Sequence, residues 1–335
     1  MVMGYNLPQG NLPMNQYLTI INGASSATVA DKERIAQMVE EFLGSQDVKD
    51  SSRRLYRRTL RPYFRFLTAR DTPLAKVTRN DILAYKDNLL SAGMSPLTVG
   101  SYLTAVRKFY TWAEALQYYP NVAKAVKTPT RKQQHRKQAL TAEQSRKLLQ
   151  HFRERNLRDY AIVNLMLCTG LRCIEVSRAL VEDITLKSVE GKEAVRVLFI
   201  QGKGRLEKDA FVILNEAVYQ PIRKYLNSRR NVKAKQPLFS SVSNSNRAGN
   251  LSPRSLSQIV KDGLRSIGLD DRTFTAHSLR HSTASLLIKN GATPDEVKDV
   301  LRHASTAITQ IYYASVAEEV RLNRNTEATL ASLLH

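Results

Sequence analysis

Cysteine is scarce in this chain. Cys168 and Cys173 are the two present in 335 residues, and they stand five positions apart in one segment. Two thiols are too few for a cysteine-rich zinc site and too close for a disulfide framework, so a reducing cytoplasm is expected. No run of eighteen apolar residues occurs, so no membrane-spanning helix is expected. Residues 1–30 have no basic leader followed by a long apolar stretch, and a secretory signal is not expected either. Acid is the other shortage: 30 carboxylates face 51 lysines and arginines, a net charge of +21. Such a surplus repels itself unless a polyanion offsets it, which points to nucleic acid as a partner.

The shortage of acid is local. Ser51 to Arg70 holds seven arginines and no carboxylate, and no carboxylate occurs between Glu114 and Glu143. On a helix, Arg54, Arg58, Arg61 and Arg65 share one face while Tyr56, Leu60, Tyr63 and Leu67 fall on the opposite one. That is the pattern of a segment with one buried and one basic side, and Pro62 inside it predicts a kink or a break. A further helix ends at Gly93, and Ser95-Pro96 reads as an N-cap followed by proline at the first helical position. The helix it opens carries Arg107 and Lys108 among its apolar residues. Either basic face is equally compatible with solvation or with DNA.

Residues 1–30 read as a flexible tail, 31–127 as a helical domain and 128–140 as a basic linker. Arg131, Lys132, Arg136 and Lys137 of that linker would lie along phosphates. Thr141-x-x-Gln144 reads as a capping box opening a second domain, 141–335. In it, Val195–Ile200 and Ala210–Leu214 are β-branched and aromatic runs flanking Gly202-Lys203-Gly204-Arg205, a predicted hairpin.

The chemistry-bearing residues gather in the second domain. Arg172 follows Thr169-Gly170-Leu171 and precedes Glu175; His277-Ser-Leu-Arg280-His281 comes later, then His303 and Tyr312. Guanidiniums can clamp a phosphate bidentately, imidazoles can move a proton, and a phenol can attack phosphorus. His277 and Arg280 share a face at i, i+3, which turns His281 elsewhere. Glu175, one helical turn from Arg172, would orient it, or serve only as an acid favoured at a helix N-terminus.

In this order the residues resemble the active site of the tyrosine recombinases, the phage integrase and Xer family. The match to "T-G-L-R-x-x-E", to H-x-x-R and to "T-x-x-Y" carries the resemblance over roughly residues 31–335. It implies a mainly α fold with a small β-sheet or hairpin, in a helical core-binding domain followed by a mixed α/β catalytic domain. It also implies that Arg172 and Arg280 bind the scissile phosphate and that His277 is the general base. His303 would donate a hydrogen bond to the phosphate, and Tyr312 would be the nucleophile, with Tyr313 as its alternative. Lys203 is the position matching the family's general-acid lysine, with Arg205 and Lys208 as alternatives. Where the family shows Leu-Gly-His, this chain has Leu301-Arg302-His303, and arginine in place of glycine predicts a less sharp turn.

The resemblance further implies no metal and no cofactor. Its substrate would be double-stranded DNA with inverted-repeat core sites, bound by a homotetramer whose tail, residues 314–335, docks on a neighbouring protomer. A cytoplasmic, nucleoid-associated enzyme acting on a mobile element is expected, with an accessory directionality factor as a further partner and no membrane. Chromosome or plasmid dimer resolution, type IB topoisomerase action and non-catalytic DNA binding are the alternatives.

Overall fold

The computed structural model describes residues 29–129, 138–202, 205, 207–243, 246–303 and 305–324, with isolated positions 328, 332 and 334 beyond. It divides into two compact units, residues 1–133 and 134–335. Among the described residues no helix is long and apolar enough to cross a membrane.

The first unit is helical: α1 (Val29–Ser45), α2 (Asp50–Ala69), α3 (Arg79–Ser91) and α4 (Pro96–Ala115). Its core draws Phe42 from α1, Leu60, Tyr63 and Leu67 from α2, Tyr85 from α3 and Phe109 and Tyr110 from α4. Each such side chain contributes on the order of 1.5–3 kcal/mol by leaving water. The phenols of Tyr63 and Tyr110 hydrogen-bond to each other at 2.7 Å, which satisfies two polar groups inside that core. On α2 the four stripe arginines, Arg54, Arg58, Arg61 and Arg65, are all exposed, opposite the buried Leu60, Tyr63 and Leu67.

Of the kink or break predicted at Pro62, the break is not there: α2 runs unbroken through it. Proline removes the N–H that would bond the carbonyl of Arg58, and that residue faces water, which can satisfy the orphaned acceptor. The cap of α4 is as read, Ser95 Oγ accepting from the Thr98 N–H at 3.2 Å with Pro96 following it.

The second unit opens with the Thr141/Gln144 capping box, in which each side chain accepts from the other residue's backbone N–H, at 3.1 and 2.9 Å. Then come α5 (Ala142–Arg155), α6 (Leu157–Thr169) and the short α7 (Cys173–Arg178). Helix α6 is buried continuously from Ala161 to Leu167, so it is the central element of this unit's core. Strands β1 (Ile184–Val189), β2 (Lys192–Ile200) and β3 (Ala210–Ile213) form an antiparallel sheet in that order. The β2–β3 pair is the predicted hairpin, with Leu198 opposite Val212 and both buried. Strand β1 was not foreseen.

Among the described residues, five helices complete the unit: α8 (Glu216–Ser228), α9 (Pro253–Ser266), α10 (Ala276–Lys289), α11 (Pro294–Leu301) and α12 (Thr306–Arg324). The last three enclose a small separate core of Ala284, Ile288, Val297, Leu301, Tyr312 and Val316. Tyr312 therefore lies inside a helix and inside a core.

Candidate active site

Gly170 closes α6 in the left-handed conformation at φ +63°, and a Cβ placed there would sit 2.5 Å from Leu301 Cδ2. Only glycine meets both demands, and it brings the Thr169–Arg172 turn against the end of α11. Arg172 is the N-cap of α7. Its backbone N–H donates to Glu175 Oε2 at 2.8 Å and its Nη1 to Oε1 at 2.9 Å. The Glu175 side chain is 1% exposed while that of Arg172 is 30% exposed. A buried carboxylate thus holds a guanidinium that still faces solvent, which fits an orienting role better than a simple N-terminal acid.

Arg280, on α10, is 1% exposed and spans two turns: Nη1 donates to the Gly170 carbonyl at 2.7 Å and Nη2 to the Leu301 carbonyl. Burial, then the nearby charges of Arg172 and Arg302, lower its pKa to about 9. At neutral pH it therefore stays a cation, in a setting that favours the arrival of an anion.

Arg302 does not relax the turn before His303, contrary to the expectation from its size. It takes the glycine-like left-handed conformation, φ 55° and ψ 48°, and caps α11. Its side chain is 13% exposed and reaches Glu175 Oε2 at 3.4 Å. Its Nη1 also donates to the carbonyls of Thr169, at 3.3 Å, and Val300. These contacts hold the arginine where local backbone preference alone would not.

His303 is buried, with Nδ1 2.9 Å from the Thr309 hydroxyl. Desolvation first, then the charges of Arg280, Arg172, Arg302 and His277, lower its pKa to about 4, so at pH 7 the ring is neutral. It stacks on Tyr312 with centroids 5.6 Å apart. Tyr312 is 4% exposed. Burial raises its pKa, while the charges of Arg280 and Arg172 and a hydrogen bond from Arg280 pull it down.

His281 does not point away. Its ring is edge-on to that of His277 at 4.8 Å and lies 4.9 Å from that of Tyr312. His277 itself is exposed and His281 is buried. The i, i+4 spacing of the two histidines was the sequence signal for this contact, and reading only the i, i+3 pair missed it.

The alternatives to two of the predicted residues are engaged elsewhere. Tyr313 donates its hydroxyl to the Ala292 carbonyl. Lys208 is paired with the buried Asp183 at 2.5 Å, and Arg205 with Asp209 at 3.3 Å. Lys203 lies outside the described residues, but the strand end leading to it is placed: Arg178 of α7 donates to the Gly202 carbonyl at 3.5 Å. Of the predicted DNA contacts, Arg54, Arg58, Arg61, Arg65 and Lys108 are exposed and Arg107 is half-buried. Arg131, Lys132, Arg136 and Lys137 lie outside the described residues.

Five of the predicted residues, Arg172, Arg280, His277, His303 and Tyr312, thus converge from α7, α10 and α12 and from the turn before α12. The charges of two arginines act on one phenol, whose ring also meets the imidazoles of His281 and His303. Such a group can bind a phosphodiester, withdraw a phenolic proton and stabilise charge developing on phosphate oxygens.

Comparison with known proteins bears on the family and the fold. The phage integrase family profile matches residues 138–319, and that of the phage integrase N-terminal SAM-like domain matches residues 35–117. The tyrosine recombinase XerD of Rickettsia conorii is 26% identical over 287 residues, covering 83% of this chain and 92% of the relative. A solved XerH site-specific recombinase, bound to a palindromic difH substrate after cleavage, superposes with a TM-score of 0.68 at 17% identity, over 93% of this chain and 94% of that one. A lambda integrase tetramer bound to a Holliday junction gives 0.64 at 16% identity, over 90% and 81%. At these identities the likeness to the solved structures is one of fold.

Proposed function

The chain belongs to the phage integrase family, and from that premise we propose that it cuts and rejoins duplex DNA at specific sites through Tyr312. The observation that carries the proposal is the placement of Tyr312 against Arg280, His281 and His303 in one partly buried cluster.

In the reaction proposed, Arg172 and Arg280 take the non-bridging oxygens of the scissile phosphate. The Tyr312 oxygen attacks phosphorus as its proton passes to His277, and the His281 ring touches both rings. The bond from phosphorus to the 5′ oxygen breaks, and that oxygen receives a proton, the role proposed for Lys203. The products are a 3′-phosphotyrosine and a free 5′-hydroxyl, and reversal by another 5′-hydroxyl rejoins the strand. His303, neutral at pH 7, is assigned here the tautomer whose Nδ1 accepts from the Thr309 hydroxyl 2.9 Å away, so that Nε2–H meets a phosphate oxygen. Glu175 orients Arg172. The basic face of α2, Arg107 and Lys108 of α4, and the linker bases Arg131, Lys132, Arg136 and Lys137 run along the DNA backbone.

The assembly proposed is a homotetramer on two paired inverted-repeat sites, the stoichiometry in which lambda integrase has been solved on a Holliday junction. The role proposed is integration, excision or resolution of a mobile element. The test is to incubate the protein with fragmented host and element DNA in EDTA, denature, and sequence the DNA left covalently attached. Adducts at a few inverted-repeat sites, lost in Tyr312→Phe and kept in Tyr313→Phe, are expected. A single chromosomal site would move the role to chromosome-dimer resolution, adducts spread over all sequences would indicate a topoisomerase, and none would remove the catalytic reading.

A further inference from the structure

Resting on the active-site reading above, we propose that Arg302 is a positioning residue of strand transfer, keeping the two phosphate-binding arginines available to DNA. Three observations carry this, and none follows from the family pattern, which has glycine at this position.

The first is the pairing of carbonyls. Arg280 donates to Gly170 and Leu301, and Arg302 donates to Thr169 and Val300, the residue before each. Two arginines thus bridge the same two turns side by side. Arg280 has spent two of its five N–H donors on this bridge. With Arg302 sharing the work, the turns stay together when Arg280 moves its remaining donors, or exchanges a carbonyl, to meet a phosphate oxygen.

The second is the division of Glu175. Its Oε1 takes Arg172 Nη1, and its Oε2 takes the Arg172 backbone N–H together with Arg302 Nη2. A carboxylate with one guanidinium partner closes on it as a two-toothed pair. Here the second oxygen is already occupied, so Arg172 is held by one tooth and keeps donors on its exposed side. Arg302 also offsets the Glu175 charge, which would otherwise oppose an incoming phosphate.

The third is the conformation that Arg302 tolerates. An arginine in a left-handed cap, with its head drawn inward and its Nε buried without an acceptor, is costly where a solvent-facing side chain would not be. The inward contacts are what hold it there.

The test uses the full-length protein and a DNA half-site identified by adduct sequencing. DNA affinity, the single-turnover rate of adduct formation and the melting temperature are measured for wild type, Arg302→Gly, Arg302→Lys and Glu175→Gln, and for Arg302→Gly combined with Glu175→Gln. Glycine suits the turn, so Arg302→Gly is expected to fold and to bind DNA within about threefold of wild type. It should slow adduct formation by roughly 10- to 100-fold, the range for residues that orient a primary ligand. Lysine restores the charge but not the fork, and should recover only part of the rate. With Glu175→Gln already present, Arg302→Gly should cost less than in the wild-type background, because only its support of Arg280 through the turn carbonyls is left to lose. A rate within twofold of wild type, or an equal loss in both Glu175 backgrounds, would overturn the proposal.

Absence of any wild-type adduct would instead sink the catalytic reading. The positioning of Arg172 and Arg280 is then judged on thermal stabilisation by inorganic phosphate at fixed ionic strength. A smaller response in Arg302→Gly than in wild type supports it, and equal responses overturn it.

Discussion

Replacing Gly170 by alanine tests the packing on which the whole cluster depends. The residue is left-handed at φ +63°, a conformation that costs an L-residue about 1–2 kcal/mol. The new methyl would also lie 2.5 Å from Leu301 Cδ2, so that side chain or the turn must retreat by about an ångström. Overpacking of that kind costs roughly 1–3 kcal/mol. The two together give roughly 2–5 kcal/mol, and for a unit of this size each kcal/mol lowers the melting temperature by about 2–4 °C. A fall between roughly 4 and 20 °C is therefore expected.

Gly191 supplies the control. It is left-handed at φ +68°, but a methyl there meets nothing within 4 Å, so Gly191→Ala should lose only the conformational part, about 1–2 kcal/mol. The assay is calorimetry of the full chain, because the single tryptophan, Trp112, belongs to the other unit and its fluorescence does not report on this one. Gly170→Ala should also lose adduct formation, since both carbonyls held by Arg280 lie at the displaced contact. If Gly170→Ala melts no lower than Gly191→Ala, the close approach of the two turns is not what stabilises this site, and the reasoning fails.

The buried imidazole and the exposed arginine stripe give two further expectations. His303 has its pKa lowered from 6.5 to about 4, so below pH 6.5 the unfolded chain takes up a proton that the folded chain refuses. Stability should therefore drop as pH falls from 6.5 towards 4, and His303→Gln should flatten that part of the melting-temperature profile; an unchanged profile would refute it. Converting Arg54, Arg58, Arg61 and Arg65 to glutamine should leave the melting temperature within about 2 °C, since exposed pairs and charges contribute little to stability. It should reduce the slope of log affinity for DNA against log salt by up to about 3–4, and an unaltered slope would place the stripe away from the duplex.

Local signals in the sequence were read correctly where they depend on neighbours along the chain. The Ser95 and Thr141 caps, the buried face of α2 and the β2–β3 hairpin are all set within a few residues. Pro62 leaves α2 unbroken because the cost of a proline depends on whether the carbonyl it orphans reaches water, which is a matter of the surroundings. Strand β1 was missed because Lys187 and Ser188 break its apolar run, and its pairing with β2 provides what periodicity does not.

The site divides the same way. Order and spacing pointed to Arg172, His277, Arg280, His303 and Tyr312, which the fold gathers. They gave a false account of Arg302, whose destination at Thr169 lies 133 positions away. No local rule says that an arginine will occupy a glycine's turn when carbonyls and a carboxylate from another segment wait to receive it.

Tyr312 is embedded in a rigid rod rather than carried on a loop. Helix α12 continues twelve residues past it to Arg324, about 18 Å at 1.5 Å per residue. A force applied at the far end of that rod would be delivered to the phenol, with the packing of Val316 in the small core as the fulcrum. Mechanically, the phenol sits on the short arm of a lever. Small displacements at its chemistry correspond to larger ones at its outer end, so whatever grips that end sets whether the phenol is loaded or at rest.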